Sequence, residues 1–147
     1  MTIYFYAQTD PYAEFSNFAP FGVEMDELWW PTVEHYFQAQ KFTDAVYQER
    51  IRRAIKPKDA KALGMTRALP LRSDWEDTKV TLMHSAVACK FKTHPKPRDL
   101  LLSTGTEDIV ENAPMDSFWG CGPDGQGANM LGKILMQVRS DLQDAAA

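Results

Sequence analysis

Glu34, Gln38 and Lys41 stand at i, i+4 and i+7 in the run Val33 to Phe42. On a short helix that spacing lines up a carboxylate, an amide and an ammonium along one stripe. Pro31 ends the extended stretch before them and Thr32 suits the helix cap, which sets Glu34 in the first turn, where the helix dipole favours its ionised form. Val33, Tyr36 and Phe37 supply apolar surface beside the stripe. Glu and Lys so spaced more commonly form a weak ion pair on a solvated face. The alternative is a carboxylate with a proton to move, and a second segment raises its standing.

That segment is Met115 to Gly132, in which Asp116 and Trp119 precede Gly120, Gly122, Gly125 and Gly127. An aromatic plane, a carboxylate and loop amides suit a base attached to ribose. The ring stacks on the base, the carboxylate accepts from hydroxyls, and amides near a helix N-terminus face phosphate. A glycine-rich surface turn and a core tryptophan explain the same residues without a ligand. Gly120 to Gly125 formally matches GxGxxG, but the dinucleotide-binding fingerprint needs an immediate helix, a second strand and a later acidic residue, and little chain remains here to supply them.

These groups must be positioned by the rest of a 147-residue chain, the length of one ordinary domain, so a single domain over residues 1–147 is expected. With 44% hydrophobic residues and no apolar run near the roughly 20 residues of a membrane helix, a soluble cytoplasmic protein is expected. Cys89 and Cys121 form no CxxC pair, and His35, His84 and His94 show no ligand spacing. Neither a disulfide framework nor a metal is expected, Cys89 reads as core, and the histidines read as satisfied packing residues. The net charge of −4 argues against a general nucleic-acid coat. Arg50, Arg52, Arg53, Lys56, Lys58 and Lys61 nevertheless gather positive charge, as a solvated helix face or a patch for phosphates.

Ile3 to Tyr6 and Asp108 to Glu111 are β-prone, and Phe21 to Trp30 reads as one or two strands around an Asp26-Glu27 turn. Asp44 is a cap for a helix running to about Ile55, Pro57 opens another ending at Gly64, and Asp74 caps a long one from Trp75 to Phe91. Trp75, Leu82, Met83, Ala86, Val87 and Phe91 mark its buried face. His94 to Pro97 is expected to break the chain before a short helix from Asp99 to Ser103, stopped near Gly105. A final helix starts near Asn129 with a core stripe of Leu131, Leu135, Val138 and Leu142, and the Ala145 to Ala147 tail is expected to fray. The pattern predicts an α+β class, mainly helical, with a small β-sheet.

Together Phe15-Ser16-Asn17-Phe18, the run Glu34 to Phe42, Trp75, Lys90-Phe91, Glu111, Asp116, Trp119-Gly120 through Gly127, Asn129, Leu131 and Gly132 resemble the NADAR (YbiA-like) family along nearly the whole chain. The resemblance implies a cofactor-independent N-glycosidase. Its substrate would be either a phosphoribosylamino-pyrimidine intermediate of riboflavin synthesis or ADP-ribosyl-guanine in DNA or RNA. It also implies that Glu34, Lys41 and Asp116 are catalytic. Trp119 joins them in the site, with Trp75 as a further candidate, and Gln38, Gly120, Gly122, Gly127 and Asn129 are expected to bind substrate; Ser16 and Asn17, in the loop after the first strand, suit either a substrate hydrogen bond or a turn cap. A non-catalytic ADP-ribose or nucleotide sensor is the competing expectation, since it would keep Trp119 and the loop without needing Glu34. Lys41 has two roles open to it, a cation for Glu34 or phosphate, and an amine that attacks the anomeric carbon to give a Schiff base.

Overall fold

The computed structural model describes all residues 1–147. The chain folds as two compact units, Met1–Ala19 with His94–Ala147, and Pro20–Thr93. The class is α+β and mainly helical, as the pattern predicts, but the expected small sheet is two separate two-stranded ladders.

In the Pro20–Thr93 unit, β2 (Val23–Met25) and β3 (Leu28–Trp30) form an antiparallel hairpin with Val23 opposite Trp30. Its two-residue turn is Asp26-Glu27, both at positive φ (55° and 65°), the geometry whose twist matches the flanking strands. Four helices follow. In α1 (Val33–Gln40) the Thr32 hydroxyl accepts from the His35 amide at 3.2 Å, and in α2 (Ala45–Arg52) the Asp44 carboxylate accepts from the Tyr47 amide at 2.9 Å. α3 (Pro57–Gly64) has proline in its first turn, where a missing N–H costs nothing. α4 spans Trp75–Thr93; the carboxylate of Asp74, expected as its cap, pairs with Arg72 at 2.6 Å. α1 packs against α2, α3 and α4. Trp30 meets Tyr36 edge-on at 5.5 Å, and Phe37 meets Trp75 at 5.0 Å.

The buried face of α4 holds Trp75, Met83, Ala86, Val87 and Phe91 as expected, together with Lys90, which the periodicity did not single out. Leu82 and Cys89 are only half-buried, so the reading of Cys89 as core is corrected.

In the other unit β1 (Ile3–Phe5) pairs parallel with β4 (Ile109–Glu111), Ile3 opposite Ile109. A 3-10 turn at Ala13–Phe15 packs on α5. α5 spans Pro95–Ser103, so the prolines expected to break the chain begin a helix instead. Pro95 and Pro97 fall in its first turn, whose N–H groups have no intrahelical acceptor. α6 (Met130–Ala146) packs on β4 and α5 with Leu131, Ile134, Leu135 and Val138 buried. The helix includes Ala145 and Ala146, in keeping with alanine as the best helix former. No helix is long and apolar enough to cross a membrane.

Candidate active site

Every residue of α1 from Val33 to Ala39 is buried, which overturns the solvated ion-pair reading. Glu34 is 7% exposed and Gln38 5%. The Gln38 Nε2 donates to Glu34 Oε2 at 2.6 Å, while its Oε1 is buried with no hydrogen-bond partner. One turn on, Lys41 caps α1 and its Nζ donates to the Gly64 carbonyl at 3.3 Å, at the C-terminus of α3. Burial pushes the Lys41 ammonium below the ordinary lysine value; the Glu34 charge opposes that shift and Lys61 adds to it. This unit therefore holds a carboxylate kept from bulk water, an amide oriented on it, and an amine whose neutral form is made more accessible. No group of three or more His, Cys, Asp or Glu side chains is placed to hold a metal ion.

His35, between these groups in sequence, is a satisfied core histidine. Its Nε2 lies 2.9 Å from the Ala54 carbonyl, which can only accept, so Nε2 carries the proton and Nδ1 accepts from the Thr32 hydroxyl at 2.8 Å. Burial lowers its pKa below 6.5, an effect partly offset by the Ala54 bond and Asp59. The folded state thus binds fewer protons than the unfolded chain as pH falls below 6.5. The stability from this neutral ring is fully present above that value and is lost as pH falls through the lowered one. Thermal melts of the wild type are expected to show an acid-side loss beginning below pH 6.5. His35→Gln should lack that limb of the profile, and a profile unchanged by the substitution would assign the acid loss elsewhere.

Trp75, a candidate for stacking a base, is 6% exposed and meets the Phe37 ring at a 49° tilt. Such burial is what a packing role predicts for this ring. In the basic run, Arg52 and Arg53 both bond to Glu49, and their guanidinium groups hold its carboxyl down at about 2. Arg50 lies over the Tyr47 ring at 5.8 Å. An open cleft of about 790 Å³ is lined by Tyr47, Arg50, Arg53, Asp59, Leu63 and Met65 among others.

The glycine segment in the other unit is built differently from its sequence reading. The amides of Gly122, Gly125, Gly127, Ala128 and Asn129 donate to carbonyls within or beside the loop. Met130 and Leu131, the first amides of α6, donate to Phe118 and Trp119 at 2.9 and 3.0 Å. The expected cradle of free amides for phosphate is therefore overturned. Gly120 and Gly127 serve close packing, since a Cβ on Gly120 would lie 2.8 Å from the Ala113 side chain and one on Gly127 2.7 Å from the Gly120 carbonyl. Gly122 takes φ 73°, a left-handed turn that glycine adopts without strain.

Asn129, expected to touch substrate, spends its amide on the edge of β4: Oδ1 accepts from Glu111 at 3.0 Å and Nδ2 donates to Ile109 at 2.9 Å. Asp116 Oδ1 accepts from the Phe118 and Trp119 amides at 3.0 and 2.8 Å, which fixes the approach to Trp119. Trp119 is half-buried and meets Phe118 edge-on at 4.8 Å. Ser16 and Asn17 are buried, and the Ser16 hydroxyl accepts from the Phe18 amide at 3.1 Å, the turn-capping use of such a residue.

The NADAR domain model matches residues 4–143. The chain belongs to the NADAR family. It is 49% identical to an N-glycosidase of Nostoc punctiforme, over 98% of this chain and 94% of that one. It is 46% identical to N-glycosidase YbiA of Escherichia coli, over 95% of this chain and 88% of that one. The NMR structure of E. coli YbiA superposes with a TM-score of 0.91 at 44% identity, covering 99% of this chain and 86% of that one. The riboflavin biosynthesis protein PYRR of Zea mays is 43% identical over 95% of this chain, which spans only 25% of that protein. The NADAR match reaches into both units, and Glu34, Lys41, Asp116 and Trp119 all fall within it.

Sequence reading missed Gly64 and Tyr47 as neighbours of the Glu34 stripe. Gly64 carries the acceptor for Lys41, and Tyr47 donates its hydroxyl to the adjacent Leu63 carbonyl at 2.5 Å. The one signal was a glycine closing a helix, which reads equally as an ordinary stop.

Proposed function

We propose that this NADAR protein works as a single domain over residues 1–147 and releases a base from phosphoribose or ADP-ribose. Its substrate is either a phosphoribosylamino-pyrimidine or ADP-ribosyl-guanine in nucleic acid. The reaction class is set by the family and by N-glycosidase relatives at 46–49% identity: the chain is a hydrolase acting on N-glycosyl bonds. The observation that best supports a catalytic reading is the buried Glu34 carboxylate, oriented by Gln38 at 2.6 Å, on the same stretch as a lysine whose pKa burial lowers.

Hydrolysis needs a water oxygen to bond the anomeric carbon as the carbon–nitrogen bond breaks, with the electron pair leaving on the base nitrogen, which then takes a proton. Positive charge grows on the sugar during that step, so an anion beside it lowers the barrier. In this reading Glu34 accepts the water proton and faces the oxocarbenium-like sugar. Lys41, held as an ammonium at the α3 C-terminus, balances that charge or binds phosphate, and Asp116 and Trp119 serve the ribose and the base. No cofactor takes part.

The test is a substrate comparison in EDTA. The purified protein is incubated with a phosphoribosylamino-pyrimidine and with an ADP-ribosyl-guanine oligonucleotide, and release of ribose 5-phosphate or ADP-ribose is followed. Turnover of one names the substrate class. Activity on the oligonucleotide is expected to fall steeply with salt, because counterions compete for its phosphates. Failure to cleave either, with binding retained, would leave the sensor reading standing. Loss of all turnover in EDTA would overturn the metal-free mechanism. Borohydride added during turnover is expected to trap no adduct on Lys41, and an adduct absent from Lys41→Ala would replace direct hydrolysis with the Schiff-base route.

A further inference from the structure

We infer that Gly64 is a positioning residue for Gln38 and Lys41, an inference that rests on the reading of Glu34 and Lys41 as the reacting pair. Gly64 is the last residue of α3, is buried, and is not among the glycines at positive φ, so no turn requires it. Alanine is the better helix former at such a position. What excludes alanine is Gln38. A Cβ on Gly64 would collide with Gln38 Oε1 and lie 2.7 Å from its Cδ and 3.0 Å from its Cβ.

The Gln38 amide is thus wedged between the backbone of Gly64 and the Glu34 carboxylate, which it already meets at 2.6 Å. A side chain at position 64 would have to displace that amide, and with it the bond to Glu34. The same glycine presents its carbonyl to Lys41 Nζ at 3.3 Å. Tyr47 fixes the turn from the other side through the Leu63 carbonyl, and the Thr66 amide donates to that carbonyl at 3.3 Å. The α3 C-terminus therefore sets the position of two of the three polar groups on the α1 stripe, by a backbone oxygen in one case and by a missing side chain in the other.

A double-mutant cycle tests this, with melting curves to establish folding. Gly64→Ala is expected to lower kcat by about 10²-fold with KM nearly kept, the scale of a small misplacement at a reacting group. In the Gln38→Ala background, which removes the obstructing amide, the same substitution is expected to cost little further. Equal losses in both backgrounds, or a lower melting temperature with unchanged kcat, would overturn the inference. If Gly64→Ala alone does not fold, Tyr47→Phe carries the test. It removes the hydroxyl's bond to the Leu63 carbonyl, leaving that from the Thr66 amide, and adds no atom; kcat is expected to fall with KM kept, and an unchanged kcat counts against the inference. A readout independent of turnover separates this inference from the reading beneath it. The Gln38 side-chain NH₂ resonance, which reports its bond to Glu34, is expected to move in Gly64→Ala, and if it stays in place Gly64 does not position Gln38. Full turnover by Glu34→Gln would sink the reading of the reacting pair, whatever the resonance does.

Discussion

Glu34→Gln is expected to lower kcat by about 10²- to 10⁴-fold, the range assigned to a general base, while leaving fold and ligand affinity close to wild type. The substitution keeps the shape of the side chain and an oxygen that can still accept from Gln38 Nε2, which lies 2.6 Å from the wild-type carboxylate. The loss therefore reads the negative charge and its capacity to take a proton, which an amide lacks. Because Glu34 is only 7% exposed, bulk water cannot readily substitute for it. The measurement is steady-state turnover beside a direct binding titration. Retained affinity with lost turnover marks an enzyme. A variant that turns over at the wild-type rate would remove Glu34 from the chemistry and return it to packing.

Trp119→Ala is expected to weaken substrate binding by about 1–3 kcal/mol, the range found when a base loses its aromatic platform. The path of the loop is held in part by backbone bonds at this residue. The Trp119 amide donates to Asp116 at 2.8 Å and its carbonyl accepts from Leu131 at 3.0 Å, and both bonds survive truncation. Affinity should fall and Trp119→Phe should recover part of it, since the smaller ring still stacks. If the melting temperature drops while affinity in the folded fraction holds, Trp119 is a packing partner of Phe118 and the base is held elsewhere.

The chain by itself determined most elements of this protein. Thr32 and Asp44 cap the helices that their types and positions indicate, Pro57 and Gly64 bound α3, and Asp26-Glu27 turns the hairpin. These are local decisions, made by side chains acting on backbone a few residues away. The Glu34, Gln38, Lys41 stripe was legible for the same reason, because helical spacing alone puts the three on one line. Only tertiary structure decided what that stripe does. Burial of α1 by α2, α3 and α4 converts an ordinary surface pair into a desolvated carboxylate and a lysine of lowered pKa. The glycine segment runs the other way: its composition suggests amides open to phosphate, yet the folded loop closes those amides on carbonyls from Glu111 to Gly122. These bonds join residues at uneven spacings inside one irregular loop and leave no periodic trace, so a sequence announces which groups are present and the fold alone decides which remain available.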